Sequence, residues 1–204
     1  MKKIPAPSKK RLIVLERLLS QLEKEKVTSV ELSALTGWGK ATIRRDISLL
    51  ELHNGVSNGY DIKILQDAIR QAFGIEYNEQ EKHRCCIVGL GKLGAALLES
   101  SVFEGTSFEL AAGFDTNMNK IEIMKSAIPL FPTLDLEKKI HSLKIEYAVL
   151  AVPDEKAQFM AERLVEAGVK GIVNYTNVVL SLPKDIRVEN VNTVIVLTGM
   201  AAKQ

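Results

Sequence analysis

A chain of 204 residues with 46% apolar content is long enough for one large domain or two small ones with real cores. No apolar run approaches the roughly 20 residues that span a bilayer, and the start, MKKIPAPSKKR, lacks the apolar stretch of a secretion signal, so a soluble, cytoplasmic protein is expected. The net charge of +2 is unevenly held: residues 1–60 carry 11 Lys/Arg against 6 Asp/Glu and the remainder 16 against 19, so a polyanion is expected to meet the front of the chain.

Leu12, Leu15, Leu18, Leu19 and Leu22 recur at helical spacing and predict a first helix over residues 8–25. Thr28-Ser29-Val30-Glu31 is a capping-box pattern opening a short second helix through Leu35. Thr36-Gly37-Trp38-Gly39 breaks it, and a third helix is predicted over 40–52. Its Ile43, Ile47 and Leu50 lie on one side, with Ala41, Arg44, Arg45 and Ser48 on the other. A helix, a short glycine-containing turn and a helix with a basic exposed face form a helix-turn-helix; a small bundle with merely solvated arginines is the alternative. His53 to Ile62 (HNGVSNGYDI) has the turn residues of a two-stranded wing. An amphipathic helix follows over 63–73, and the polar 74–82 reads as a linker.

From Arg84 the pattern changes to strands (85–88, 108–114, 147–152, 171–174) alternating with helices (91–101, 134–142, 155–167), which predicts a doubly wound parallel α/β sheet. The first strand enters Gly89-x-Gly91-x-x-Gly94, and Asp115 lies 21 residues beyond Gly94, just past the next strand. In a Rossmann unit Gly89 permits the tight turn, Gly91 lets the backbone approach a pyrophosphate, and Gly94 lets the helix pack on the strand. Leu90, Lys92 and Leu93 fill the loop, with Lys92 a surface or phosphate-proximal charge. Asp115 is placed to bind both ribose hydroxyls, a turn-capping aspartate being the alternative. It would repel a 2′-phosphate, and Thr116 to Asn119 offer no arginine, with Lys120 some way off. The expected cofactor is therefore NAD(H) rather than NADP(H). Val152-Pro153 and Asn174 to Asn177 close two further strands and are expected to border the crevice. His53, His83 and His141 read as solvated residues of wing, linker and helix end. Cys85 and Cys86 read as core residues, unable to pair with each other and without partner ligands for a metal. With no placed acid–base set and no room for a substrate domain, an enzyme is not expected.

Together these pieces resemble the Rex family of redox-sensing transcriptional repressors, from Ile4-Pro5 to Val191. The most specific matches are Lys10-Arg11-Leu12, Ala41-Thr42-Ile43-Arg44-Arg45-Asp46, Gly59-Tyr60 and the glycine loop. Phe114-Asp115, Val152-Pro153, Ala157-Gln158, Lys170-Gly171-Ile172-Val173-Asn174 and Val188-Glu189-Asn190-Val191 continue the series. The resemblance implies an N-terminal winged helix (1–78, with linker), a Rossmann domain binding NAD(H) (79–190) and a dimerising C-terminal segment (191–204). It implies a homodimer that binds a palindromic DNA operator when NAD+ prevails and releases it when NADH accumulates. Lys40, Thr42, Arg44, Arg45 and Ser48 would then dock in the major groove, with Lys9, Lys10, Arg11 and Tyr60 near phosphates or the wing.

The chain also departs from the family pattern. Gly55 and Val56 stand where family wings carry a basic pair, and Asn192 replaces the acid that couples the two domains, opposite a base retained as Arg17. The tail TVIVLTGMAAKQ, β-branched and containing Gly199, disfavours the helix that the family exchanges between protomers. Two alternatives are a relative that has lost redox coupling or operator binding, and a small NAD-dependent enzyme or CoA-binding domain.

Overall fold

The computed structural model describes residues 4–52, 59–75 and 82–202, so the expected wing tip (53–58) and most of the expected linker (76–81) lie outside the described residues. The chain divides into two compact units, Met1–Glu76 and Tyr77–Gln204.

The first unit runs α1 (Ala6–Leu19), β1 (Lys26–Val27), α2 (Ser29–Thr36), α3 (Lys40–Ser48), β2 (Tyr60–Asp61) and α4 (Ile62–Phe73). Pro7 in the first turn of α1 forfeits no helical hydrogen bond there. The Thr28 hydroxyl accepts from Glu31 N–H while the Glu31 carboxylate accepts from Thr28 N–H, which completes the capping box of α2. Gly37 ends α2 at φ +73°, a left-handed position that suits glycine, and α3 begins three residues later. Helix α1 stops at Leu19 instead of continuing to residue 25, yet Leu22 still packs on the core from the following turn. The apolar spacing thus overran the helix. Helix α3 likewise ends at Ser48, short of 52, with Leu50 and Leu52 packing from the turn beyond. The strand partner of β2 is β1, antiparallel with Val27 opposite Tyr60, a strand too short to announce itself in the sequence.

Leu12, Leu15, Leu19, Leu32, Ile43, Ile47, Leu65 and Ile69 form the core of this unit. Two acids sit in that core wall. Asp46 of α3 takes Arg11 Nε at 2.5 Å and Nη2 at 3.0 Å, and Glu16 of α1 takes Arg70 Nε at 2.8 Å. Arg11 holds the Asp46 carboxyl below the usual carboxylate range although burial opposes this.

The second unit runs β3 (His83–Val88), α5 (Lys92–Glu99), β4 (Phe108–Asp115), α6 (Met118–Ile123), β5 (Leu130–Pro132), α7 (Leu136–Ser142), β6 (Tyr147–Leu150), α8 (Asp154–Glu166), β7 (Gly171–Asn174), β8 (Arg187–Asn190) and α9 (Thr193–Ala201). The strands form one sheet in the order β5-β4-β3-β6-β7-β8, every neighbour parallel. This is the dinucleotide-binding order, reversing between β3 and β6. Cys86, Val88, Phe114 and Leu150 face Leu136, Ile140, Met160 and Leu164 on one side. Cys85, Ile87, Leu110 and Val149 face Leu98 on the other.

Four elements here escaped the sequence patterns. Helix α6 and strand β5 are too short to show a period, and β8 is a polar edge strand with only Val188 half-buried. Helix α9 forms despite its β-branched residues and Gly199, with the Asn192 side chain accepting from Ile195 N–H as its cap. Propensity differences of a few tenths of a kcal/mol per residue are readily overridden. His83, expected in the linker, opens β3 instead. Its Nδ1 lies 2.8 Å from Glu146, and its ring packs against Phe108 and Tyr147.

The β3–α5 turn is packed to the limit. A Cβ on Gly94 would overlap the Gly89 carbonyl oxygen, and one on Gly89 (φ +95°) would lie 2.5 Å from the Ala151 carbonyl oxygen. Gly94→Ala is expected to lower the unfolding free energy by about 1–3 kcal/mol in a denaturant titration; an unchanged midpoint would contradict this packing. In the first unit, Asp46→Ala is expected to lower Tm by about 5 °C at neutral pH. Because the Asp46 pKa is depressed on folding, its contribution is complete above about pH 4 and lost as the pH falls through the lowered value. The difference in Tm between the two proteins should therefore shrink in acid.

Candidate functional site

The strand order reverses between β3 and β6, and the candidate cofactor crevice is the one expected at their carboxyl ends. Gly89 N–H donates to Phe114 O at 2.8 Å and Ala151 N–H to Val88 O at 2.8 Å, which draws the ends of β3, β4 and β6 together. Gly91 caps α5, and a Cβ added to it would meet nothing within 4 Å, so a side chain there would project into open space. Leu90 is buried, while Lys92 and Leu93 are exposed on the first turn of α5. Val152 is half-buried and Pro153 exposed at the end of β6. The glycine loop, Asp115, Val152 and Pro153 therefore gather at one end of the sheet.

Asp115 is buried and closely held. Its Oδ2 accepts from Leu90 N–H at 2.8 Å and its Oδ1 from Asn117 N–H at 2.8 Å. Lys120 Nζ, expected to be some way off, lies 2.8 Å from Oδ2. These contacts outweigh burial and hold the carboxyl below its ordinary pKa. Asp115 thus serves as a turn cap, the alternative raised by the sequence.

Asn174 does not border open space. It is fully buried, with Nδ2 donating to Val178 O and Asn190 Oδ1, both at 2.9 Å, and Oδ1 accepting from Thr176 N–H and Oγ1. Its side chain braces the loop after β7. That loop leads to a hydrogen-bonded chain the sequence did not signal. Asp154, directly after Pro153, accepts from Asn177 N–H at 3.0 Å and Nδ2 at 3.1 Å, and Asn192 Nδ2 donates to Asn177 Oδ1 at 2.9 Å. Asn192 therefore caps α9 and ties its start to the rim of the crevice.

In the first unit Lys40, Ala41, Arg44, Arg45 and Ser48 are exposed along α3, with Thr42 half-buried. The acid of that helix, Asp46, is turned inward, so the exposed face carries cations without a carboxylate. Arg44 Nε donates to Ser29 Oγ at 3.0 Å, fixing one guanidinium against the start of α2. The Ser48 hydroxyl donates to Arg45 O, and Tyr60 is half-buried, its phenol pKa raised by burial. Lys9 lies over the Phe73 ring at 5.4 Å, Lys10 is exposed, and Arg17 is exposed further along α1. Arg11, expected near phosphates, is instead the partner of Asp46. The sign of that pairing was an acid on the apolar stripe between Ile43 and Ile47.

Among the described residues no cluster suits a metal ion, and no helix is long and apolar enough to cross a membrane.

Residues 3–48 match a family model described as "Putative DNA-binding protein N-terminus" and residues 80–178 one described as "CoA binding domain". The redox-sensing transcriptional repressor Rex of Limosilactobacillus reuteri is 39% identical over 194 residues, which are 94% of this chain and 89% of that protein. Crystal structures of RSP, a Rex-family repressor, are similar across both units. RSP in complex with beta-NAD+ and operator DNA aligns with a TM-score of 0.86 at 26% identity, covering 98% of this chain and 92% of that one. RSP in complex with beta-NADH aligns with a TM-score of 0.83 at 27% identity, covering 98% and 94%. The likeness extends over both the helix-turn-helix and the parallel sheet, and the chain belongs to the Rex family of redox-sensing transcriptional repressors.

Proposed function

We propose that the chain acts as a homodimer in the cytoplasm, binding a palindromic operator through α3 and reading the NADH/NAD+ ratio in the crevice formed by the glycine loop and Asp115. The observation that carries this reading is the joining, on one chain, of a dinucleotide crevice with a helix whose exposed face holds Lys40, Arg44 and Arg45 and no acid. On this reading the nucleotide acts as a signal and is not consumed. Lys9 and Lys10 add phosphate contacts, and Thr42, Ser48 and Tyr60 are the polar neighbours available to the DNA.

Support for the dimer comes from α9. Val194, Ile195, Leu197 and Met200 are each more than half exposed, so the helix is apolar on all sides and left uncovered among the described residues. Helices of that kind are normally buried, and a second copy is the partner that also explains a palindromic site. The Asn192–Asn177–Asp154 chain supplies a route by which cofactor at the rim of β6 biases the position of α9. Asn192 in place of the family's acid favours a second reading, in which coupling through neutral hydrogen bonds is weaker, by roughly half per contact.

Calorimetric titration tests both readings. NADH is expected to bind at least about tenfold more tightly than NAD+; equal affinities would leave no switch, and tight CoA binding in place of NADH would favour a different ligand altogether. Gel shifts on DNA upstream of the protein's own gene should show a dimer complex dissolved by NADH. A complex that persists at saturating NADH marks the uncoupled relative. Arg45→Ala should weaken the complex and lower the salt slope by about 1.

A further inference from the structure

Asp115 in a Rossmann crevice is ordinarily read as a bar to NADP(H), because its charge repels a 2′-phosphate. Here that carboxylate is not alone. Lys120 Nζ sits 2.8 Å from Oδ2, and Lys120 is itself positioned by α6, where its N–H donates to Asn117 Oδ1 at 3.1 Å. Asn117 N–H in turn donates to Asp115 Oδ1 at 2.8 Å. The three residues form a closed unit in which the ammonium is directed onto the carboxylate by the backbone of a turn. Its side chain is 35% exposed against 8% for Asp115, so the cation lies on the solvent side of the pair.

An ionised carboxylate offers about four lone-pair sites, and Leu90 N–H, Asn117 N–H and Lys120 Nζ take three of them. One remains for a ribose diol that has two hydroxyls to place. Two hydroxyls can be accepted only if the ammonium withdraws, because the two backbone donors are fixed by the turn and the glycine loop. The displaced ammonium remains tethered beside the 2′ and 3′ oxygens.

We propose that Lys120 is a specificity-determining residue of the cofactor site: it competes with the ribose diol for Asp115 and offsets the carboxylate's repulsion of a 2′-phosphate, so that NADP(H) is disfavoured less than Asp115 alone would dictate. The proposal rests on the reading of this crevice as an NAD(H) site.

Titrating NADH and NADPH separately into the full chain and into Lys120→Met tests it. The variant should bind NADH as tightly as the native chain or more tightly, and NADPH about tenfold more weakly. The preference for NADH therefore rises. Lys120→Arg should keep the native ratio, and Asp115→Asn should lower it. A Lys120→Met ratio within about twofold of native overturns the proposal. The native chain gives a second measurement that does not depend on any variant. If Lys120 neutralises the site, the preference for NADH over NADPH stays level as salt is raised. If the carboxylate acts alone, salt screens its repulsion and the preference falls, which also overturns the proposal. Failure of the native chain to bind NADH at all would refute the NAD(H) reading instead.

Discussion

The Asp115 carboxylate takes N–H groups from Leu90 and Asn117, so the end of β4 is bonded directly to the glycine loop that follows β3. A second tie, Gly89 N–H to Phe114 O, lies one residue away on each strand. Between them they tie the loop to the end of β4, and Gly94 brings α5 down onto the Gly89 carbonyl. On the proposed reading, a nucleotide arriving here is spared the ordering of a loop on binding. The same bonds keep Asp115 ionised, because every donor it receives favours the charged form.

In the first unit, α1 plays the corresponding part with two ion pairs of opposite sense. It offers a cation, Arg11, to Asp46 on α3 and a carboxylate, Glu16, to Arg70 on α4. A carboxylate in a core wall is tolerated only with such a partner, and the geometry it demands orients the helix that carries it. Arg11 illustrates how a residue with the chemistry of a phosphate contact can be engaged in orienting α3.

Elements with enough length to show a period were legible in the sequence. The glycine loop with its flanking strand and helix, the capping box at Thr28 and the four principal strands stand within a few residues of their expected places. What could not be read falls into two kinds. Elements such as β1, β5 and α6 are defined by their partners, and their two, three and six residues carry neither a motif nor a longer apolar run to mark them. Side-chain assignments such as those of Asn174 and Lys120 depend on which polar groups the fold brings within 3 Å. Asn174 follows its strand as a ligand residue would, yet its amide is wholly engaged by Thr176, Val178 and Asn190. Lys120 looked remote at five residues from Asp115 until a turn of helix brought it back.

Cys85 and Cys86 stand side by side in β3, yet alternation sends one into each face of the sheet, the first against the α5 side and the second against α7 and α8. Burial pushes the Cys85 thiol up to about 12 and that of Cys86 higher still. Thiols held protonated are poor nucleophiles toward oxidants, and their opposed directions prevent them from joining. A member of a redox-sensing family thus keeps both of its thiols buried and apart. On the proposed reading it takes its information from a diffusing carrier at equilibrium, so the signal is erased by exchanging one ligand for another, and no covalent bond has to be repaired.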